Sequence, residues 1–145
     1  MIITIDGPAG AGKSSTARAV AERQSFRYLD TGALYRAVAF TFVDSETAPT
    51  NENAQALLND YTIDLQFDDT DALHVLLNGT DVSDAIRTSE VGDMASQVAA
   101  LPAVREALLP IQRQIATRWS QSTGGVVADG RDTGTVVFPH ADLKF

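Results

Sequence analysis

The sequence predicts an α/β fold: a parallel sheet flanked by helices, with a small β-containing insert between them. Three observations predict it. The chain opens on a short β-branched run, a glycine-rich turn and a helical stripe, "IITIDGPAGAGKSSTARAVAE". Residues 62–79 switch to short alternating runs split by an acidic turn, "TIDLQF" and "LHVLLNG" around "DDTD". Two further helical stripes then lead into the apolar run Val126–Ala128, which ends on Asp129. Strands that alternate with helices call for parallel pairing, and the short alternating runs call for a separate β unit.

The elements follow in order. Ile2–Asp6 is apolar and β-branched, so it reads as a buried strand. Ala17, Val20 and Ala21 recur at helical spacing after it. Between them lies G-x-x-x-x-G-K-S, from Gly7 to Ser14. Strand, glycine loop and helix in this order form a phosphate cradle. Glycines let backbone N–H groups converge on phosphate oxygens, and the helix N-terminus adds its positive end. The stretch that would hold a nucleoside triphosphate is Gly7, Gly10, Ala11, Gly12, Lys13, Ser14 and Ser15. Lys13 supplies charge to the β- and γ-phosphates, and Ser14 supplies a hydroxyl to Mg²⁺. A glycine turn that binds nothing is the other reading, and the context weighs against it. The D-x-x-G and N-K-x-D strings of a GTPase do not occur.

Phe26–Leu29 reads as a second strand, followed by a helix from near Ala33 that Asp30 or Thr31 can cap. In such sheets ligands sit beyond the carboxyl ends of the strands. Asp30, Thr31, Tyr35 and Arg36 therefore make a candidate site for a second, monophosphate substrate. Each has a plainer reading: Thr31 as a helix cap, Tyr35 as a packed aromatic, Arg36 as a surface arginine. "NENAQALLND" is a short helix, and "NGTDVSDAIR" continues as turn and extended chain. His74, alone near a strand start, reads as a partly buried histidine rather than a ligand. Val91, Met94, Ala95, Val98 and Leu101 form one helical stripe, and Val104, Leu108, Ile111 and Ile115 a second that should kink at Pro110. Asp129 ends its strand where P-loop proteins place a carboxylate for Mg²⁺ or its water shell. Beyond it, Arg131 either neutralises phosphate or pairs with Asp132. Beside a phosphate, Asp132 itself would read a donor such as an exocyclic amine.

Composition narrows the class. The 145 residues contain no cysteine, which removes disulfides and thiolate chemistry. No apolar run approaches a membrane span, and "MIITIDG" has no basic start of a signal peptide, so a cytoplasmic protein is expected. Residues 1–40 carry five basic and three acidic groups, residues 41–95 one and twelve, and residues 96–145 five and four, for a net −8. That balance disfavours nucleic acid but leaves room for a small phosphate ligand.

Taken together, "GPAGAGKSST", "YLDTGALYRA", "SEVGDMASQVAALPAVREALLPIQR" and "VVADGRDTGTVVFPHADLKF" resemble the bacterial cytidylate kinase family in order and spacing. The resemblance implies a P-loop nucleoside-monophosphate kinase fold. One kinase domain would have its core at about 1–50 and 88–145 and an acceptor-binding insert at about 51–87. It implies transfer of the ATP γ-phosphoryl group to CMP or dCMP with Mg²⁺. Lys13, Arg36 and Arg131 would be catalytic. Thr31, Arg36 and Arg131 would hold the CMP phosphate, with Asp30 and Tyr35 beside the acceptor. Ser96, Arg105 and Asp132 would read cytosine. The family's lid, with its arginines, and its last strand are expected beyond Phe145, roughly a third more chain. The expectation is thus a chain cut before the lid, with an incomplete sheet. It would be a monomer that could self-associate through the unfinished edge, and either a working kinase or a catalytically incomplete nucleotide-binding fragment. Another small-molecule P-loop kinase is a third, weaker reading. Two positions depart from the family pattern: Thr133 stands where an aliphatic residue is usual, and His140 where Asp is usual.

Overall fold

A computed structural model describes residues 1–8 and 10–145; Ala9, inside the phosphate-loop motif, lies outside the described residues. The contacts divide the chain into two compact units, Met1–Thr31 with Gln112–Phe145, and Gly32–Ile111.

The first unit is built on a parallel sheet. β1 (Ile2–Asp6), β2 (Arg27–Asp30), β6 (Val126–Gly130) and β7 (Leu143–Lys144) lie in the order β2-β6-β1-β7. β1 and β6 run in register from Ile2 opposite Val126 to Asp6 opposite Gly130. β2 joins the other side of β6, with Asp30 opposite Asp129. Asp6, Asp30 and Asp129 therefore all stand at the same carboxyl edge. The central strands are buried on both faces, which is why they read as continuous apolar runs rather than alternating ones. Helix α1 (Lys13–Gln24) packs Ala17 and Ala21 on Ile3, Ile5 and Val127, with Val20, Phe26 and Tyr28 at the margin. Small alanines let the helix approach the sheet closely. It ends at Ser25, in the left-handed region at φ 56°, with the Phe26 N–H donating to the Ala21 carbonyl at 2.9 Å.

Two boundaries differ from the expectation. β2 is Arg27–Asp30, and α2 (Thr31–Asp44) starts at Thr31 rather than near Ala33. The strand passes into the helix with no intervening loop. The Thr31 hydroxyl donates to the Asp129 carbonyl at 2.6 Å, which pins the junction to β6. After β6 the chain makes a π-helical turn at Thr133–Val137 before β7.

The second unit holds most of α2, whose Leu34, Ala37, Val38 and Phe42 are fully buried. α3 (Asn51–Leu58) is capped by Thr50, whose hydroxyl accepts from the Asn53 N–H. β3 (Ile63–Phe67), β4 (Leu73–Leu77) and β5 (Thr80–Asp81) form an antiparallel sheet. The segment expected as turn and extended chain thus contains a short strand, and then a 3₁₀ turn at Ala85–Arg87. His74 on β4 is only partly exposed, and both ring nitrogens meet carboxylates: Nδ1 lies 2.6 Å from Asp81 and Nε2 2.7 Å from Asp68. α4 (Ser89–Val98) is capped by Thr88 and stops before Leu101. α5 (Pro102–Thr123) has Pro102 at its first position, where no N–H is needed. Asn51 Oδ1 accepts from the Ala103 N–H at 2.8 Å, so α3 helps to cap α5. The helix continues through Pro110, which lies inside it. Among the described residues, no helix is long and apolar enough to cross a membrane.

Candidate phosphate-transfer site

The loop between β1 and α1 sits at the carboxyl edge of the sheet. Gly10 and Gly12 have φ of 81° and 78°, a region that side chains rarely adopt. A β-carbon at either would meet nothing within 4 Å, so it is the backbone conformation that calls for glycine there. Gly7 N–H donates to the Gly130 carbonyl at 3.1 Å and anchors the loop to the end of β6. Lys13 opens α1 and is half-buried, and its Nζ donates to the Pro8 carbonyl at 3.4 Å. Gly10, Ala11, Gly12, Ser14 and Ser15 are exposed.

Asp129 is the centre of the polar contacts. It is 3% exposed, yet both carboxylate oxygens are bonded. Ser14 Oγ donates to Oδ2 at 2.6 Å, and the Tyr28 hydroxyl donates to Oδ1 at 3.0 Å. The Arg18 guanidinium lies 5.0 Å from the centroid of the Tyr28 ring. Burial pushes the Tyr28 phenol well above its ordinary value, and the carboxylates of Asp30 and Asp129 add to the rise. It therefore stays a donor through the physiological range.

The donor set fits Mg²⁺. A serine hydroxyl beside a carboxylate offers hard oxygens, and Mg²⁺ takes few protein ligands and completes its shell with phosphates and water. No group of three acidic, histidine or cysteine side chains suited to a metal occurs among the described residues.

Asp6, which the sequence showed only as a strand end, organises the neighbouring loop. Its carboxylate accepts from the Thr133 N–H at 2.9 Å, the Gly134 N–H at 2.7 Å and the Thr133 hydroxyl. Thr133, the unusual residue for the resemblance, thus adds a side-chain bond that an aliphatic residue could not make. Gly134 leaves no room for a side chain, since a β-carbon there would stand 2.6 Å from Thr4 Oγ1. This anchored turn directly follows Arg131, which is exposed, and Asp132, which is half-buried.

The first unit therefore brings the phosphate loop, Ser14, Asp30, Thr31, Asp129, Arg131 and Asp132 to one edge of its sheet. Tyr35 and Arg36, half-buried on α2, belong to the second unit, as do the exposed Ser96 on α4 and Arg105 on α5. Asp6 and Tyr28 are the residues that sequence reasoning missed. The only signal was their place, one ending a strand and the other two residues short of ending one.

A parallel sheet with a glycine loop between its first strand and first helix, a helix-borne Lys-Ser pair and a strand-end carboxylate defines the P-loop nucleotide-binding class. Comparison with known sequences is narrower. The family model described as "Cytidylate kinase" matches residues 3–145, and the chain belongs to that family. It is 49% identical over 144 residues to a protein named cytidylate kinase from Salinibacter ruber, covering 99% of this chain and 63% of the relative. The cytidylate kinase of Pseudomonas aeruginosa PAO1 is 51% identical over 146 residues, with 99% and 61% covered. That of Carboxydothermus hydrogenoformans is 46% identical over 144 residues, with 99% and 63% covered. The chain thus spans about three fifths of the length of these relatives.

Proposed function

We propose that this chain carries the phosphate-loop and acceptor-reading parts of a cytoplasmic kinase that moves the γ-phosphoryl group of ATP to CMP or dCMP. The observation that carries the reading is the Ser14–Asp129 bond beside the glycine loop, in a chain of the cytidylate kinase family. In the reaction, the bond between the γ-phosphorus and the ADP oxygen breaks. A bond from the same phosphorus to a CMP phosphate oxygen forms. Lys13 and the loop N–H groups bind the β- and γ-phosphates. Ser14 and Asp129 hold the cation side, where Mg²⁺, when bound, offsets phosphate charge. From the family resemblance, Arg36 and Arg131 are assigned to the acceptor phosphate, with Asp30, Thr31 and Tyr35 beside it, so that positioning and electrostatics do most of the work. Ser96, Arg105 and Asp132 read cytosine.

A second reading has its own observation. The chain spans 61–63% of the relatives' length, so a nucleotide-binding portion that does not turn over is also consistent with it. A coupled ADP-release assay with ATP, Mg²⁺ and CMP, alongside calorimetry of CMP binding, separates the two. CMP-dependent turnover supports the kinase, and binding without turnover supports the second reading. Absence of both sinks the two together, and turnover that is equal with UMP or AMP removes the cytosine assignment.

A further inference from the structure

We propose that Tyr28 is a positioning residue for the cation side of the phosphate site, holding the Asp129 carboxylate turned toward Ser14. The inference rests on the reading of Ser14 and Asp129 as that side of the site.

A carboxylate that is 3% exposed has little water to satisfy it, so its orientation is set by its protein donors. Asp129 has one from each side. Ser14 reaches Oδ2 from the first turn of α1, and Tyr28 reaches Oδ1 from β2. The two do different jobs. A serine hydroxyl can give its hydrogen to Asp129 while its lone pair faces a cation, so the Ser14 bond is part of the ligand arrangement. Tyr28 uses its hydroxyl to fix the opposite oxygen. Without that bond, Oδ1 has lost a donor in a dry place, and the carboxylate relaxes by rotating away from Ser14.

Tyr28 is well placed to act as a fixed point. It lies on β2 opposite Val127, so its hydroxyl extends along the sheet to a carboxylate two residues further on. Its ring packs at the margin of the core formed by Ile3, Ile5, Ala17, Ala21 and Val127, and Arg18 lies over the ring. A phenyl ring would keep this packing. The hydroxyl is therefore separable from the ring's structural role. Partners that orient a metal-binding carboxylate without touching the metal commonly change metal affinity by roughly 10- to 100-fold.

The test is ATP binding by calorimetry to the whole chain, with Mg²⁺ and with a chelator, for the unaltered protein, Tyr28→Phe and Asp129→Asn. The readout is the ratio of the two affinities, which a general loss of stability does not move. The expected result is an unchanged affinity in chelator for Tyr28→Phe and a roughly tenfold smaller Mg²⁺ enhancement. If Asp129→Asn lowers the ratio and Tyr28→Phe does not, the inference fails while the reading of the site stands. An equal loss in both conditions assigns the hydroxyl to stability alone and also overturns it. If the unaltered chain shows no Mg²⁺ enhancement, the reading of the site falls and takes the inference with it.

Discussion

A hydroxyl at a strand–helix junction can cap the helix, hold a phosphate or tie backbone segments together. From the sequence, Thr31 is open to the first two. In the fold it is 6% exposed and donates to the Asp129 carbonyl at 2.6 Å, so its hydrogen already serves the third. Thr31→Val should therefore lower stability by about 1 kcal/mol through loss of a buried hydrogen bond, while Thr31→Ser should cost much less. Urea unfolding of the three chains measures this. A valine variant as stable as the parent would mean that the tie is idle and that the hydroxyl is kept for a ligand. The contrast also marks what single residues disclose. Lys13, Ser14 and Asp129 are legible because a motif fixes their spacing or because a carboxylate ends an apolar run. Tyr28 and Asp6 are not. Their partners lie 101 and more than 120 residues away, and only the register of β1, β2 and β6 brings them together.

At the scale of elements, the β3–β4–β5 sheet gives the clearest consequence of such pairing. Alternation makes β3 and β4 legible, but β5 is two residues long and carries no pattern of its own. Its pairing places Asp81 beside His74, and the β3–β4 turn supplies Asp68 on the other side. Asp68 and then Asp81, as hydrogen-bond partners, raise the His74 imidazole above its ordinary 6.5. Asp81 is lowered from 3.8 to about 2, first by the Ser83 hydroxyl and then by the Ser83 N–H and His74. Asp68 is likewise lowered, first by Thr70 and then by His74. The sign follows for each group. A raised histidine contributes stability that is complete below 6.5 and is lost as pH climbs through its folded value. The lowered carboxylates contribute stability that is present above about 4 and lost as pH falls toward their folded values. Thermal melts should therefore show a plateau between about pH 4 and 6.5 with a decline on the alkaline side, and His74→Gln should remove that alkaline decline. The exposure of all three groups to solvent keeps the effect modest and sensitive to salt. Proton NMR of the chain, which has only two histidines, gives an independent check, since His74 should titrate above 6.5. Titration at or below that value would mean that the two carboxylate contacts do not persist in solution.

At the scale of the whole molecule, the fold class is legible because it rests on alternation and on one motif in context. The sheet order β2-β6-β1-β7 is not, because periodicity names strands without naming their neighbours. The net charge of −8 has a similar limit: it disfavours a polyanion but does not decide on a nucleotide, whose phosphates would meet local N–H groups and Lys13 in the proposed site. Ligand linkage tests the nucleotide reading on the intact chain without requiring turnover. A nucleotide that binds only the folded state, present at a hundred times its dissociation constant, stabilises it by about 2.7 kcal/mol. For a chain of this size that is a rise in melting temperature of roughly 5–10 °C. CMP should produce such a rise, and ATP with Mg²⁺ should produce one independently. UMP should produce at most about half of the CMP rise. A carboxylate such as Asp132 that accepts from the cytosine amino group would face a carbonyl in uracil, and two opposed acceptors cost on the order of 1–3 kcal/mol. That loss is about ten- to a hundredfold in affinity, so UMP at the same concentration would stand at about one to ten times its dissociation constant and stabilise by about 0.4 to 1.4 kcal/mol, roughly a sixth to a half of the CMP effect. Asp132→Asn, whose amide can rotate to offer either a donor or an acceptor, should bring the CMP and UMP shifts together. Equal shifts for CMP and UMP in the unaltered chain would remove Asp132 from base recognition. A CMP preference that survives Asp132→Asn would instead leave it with Ser96 and Arg105.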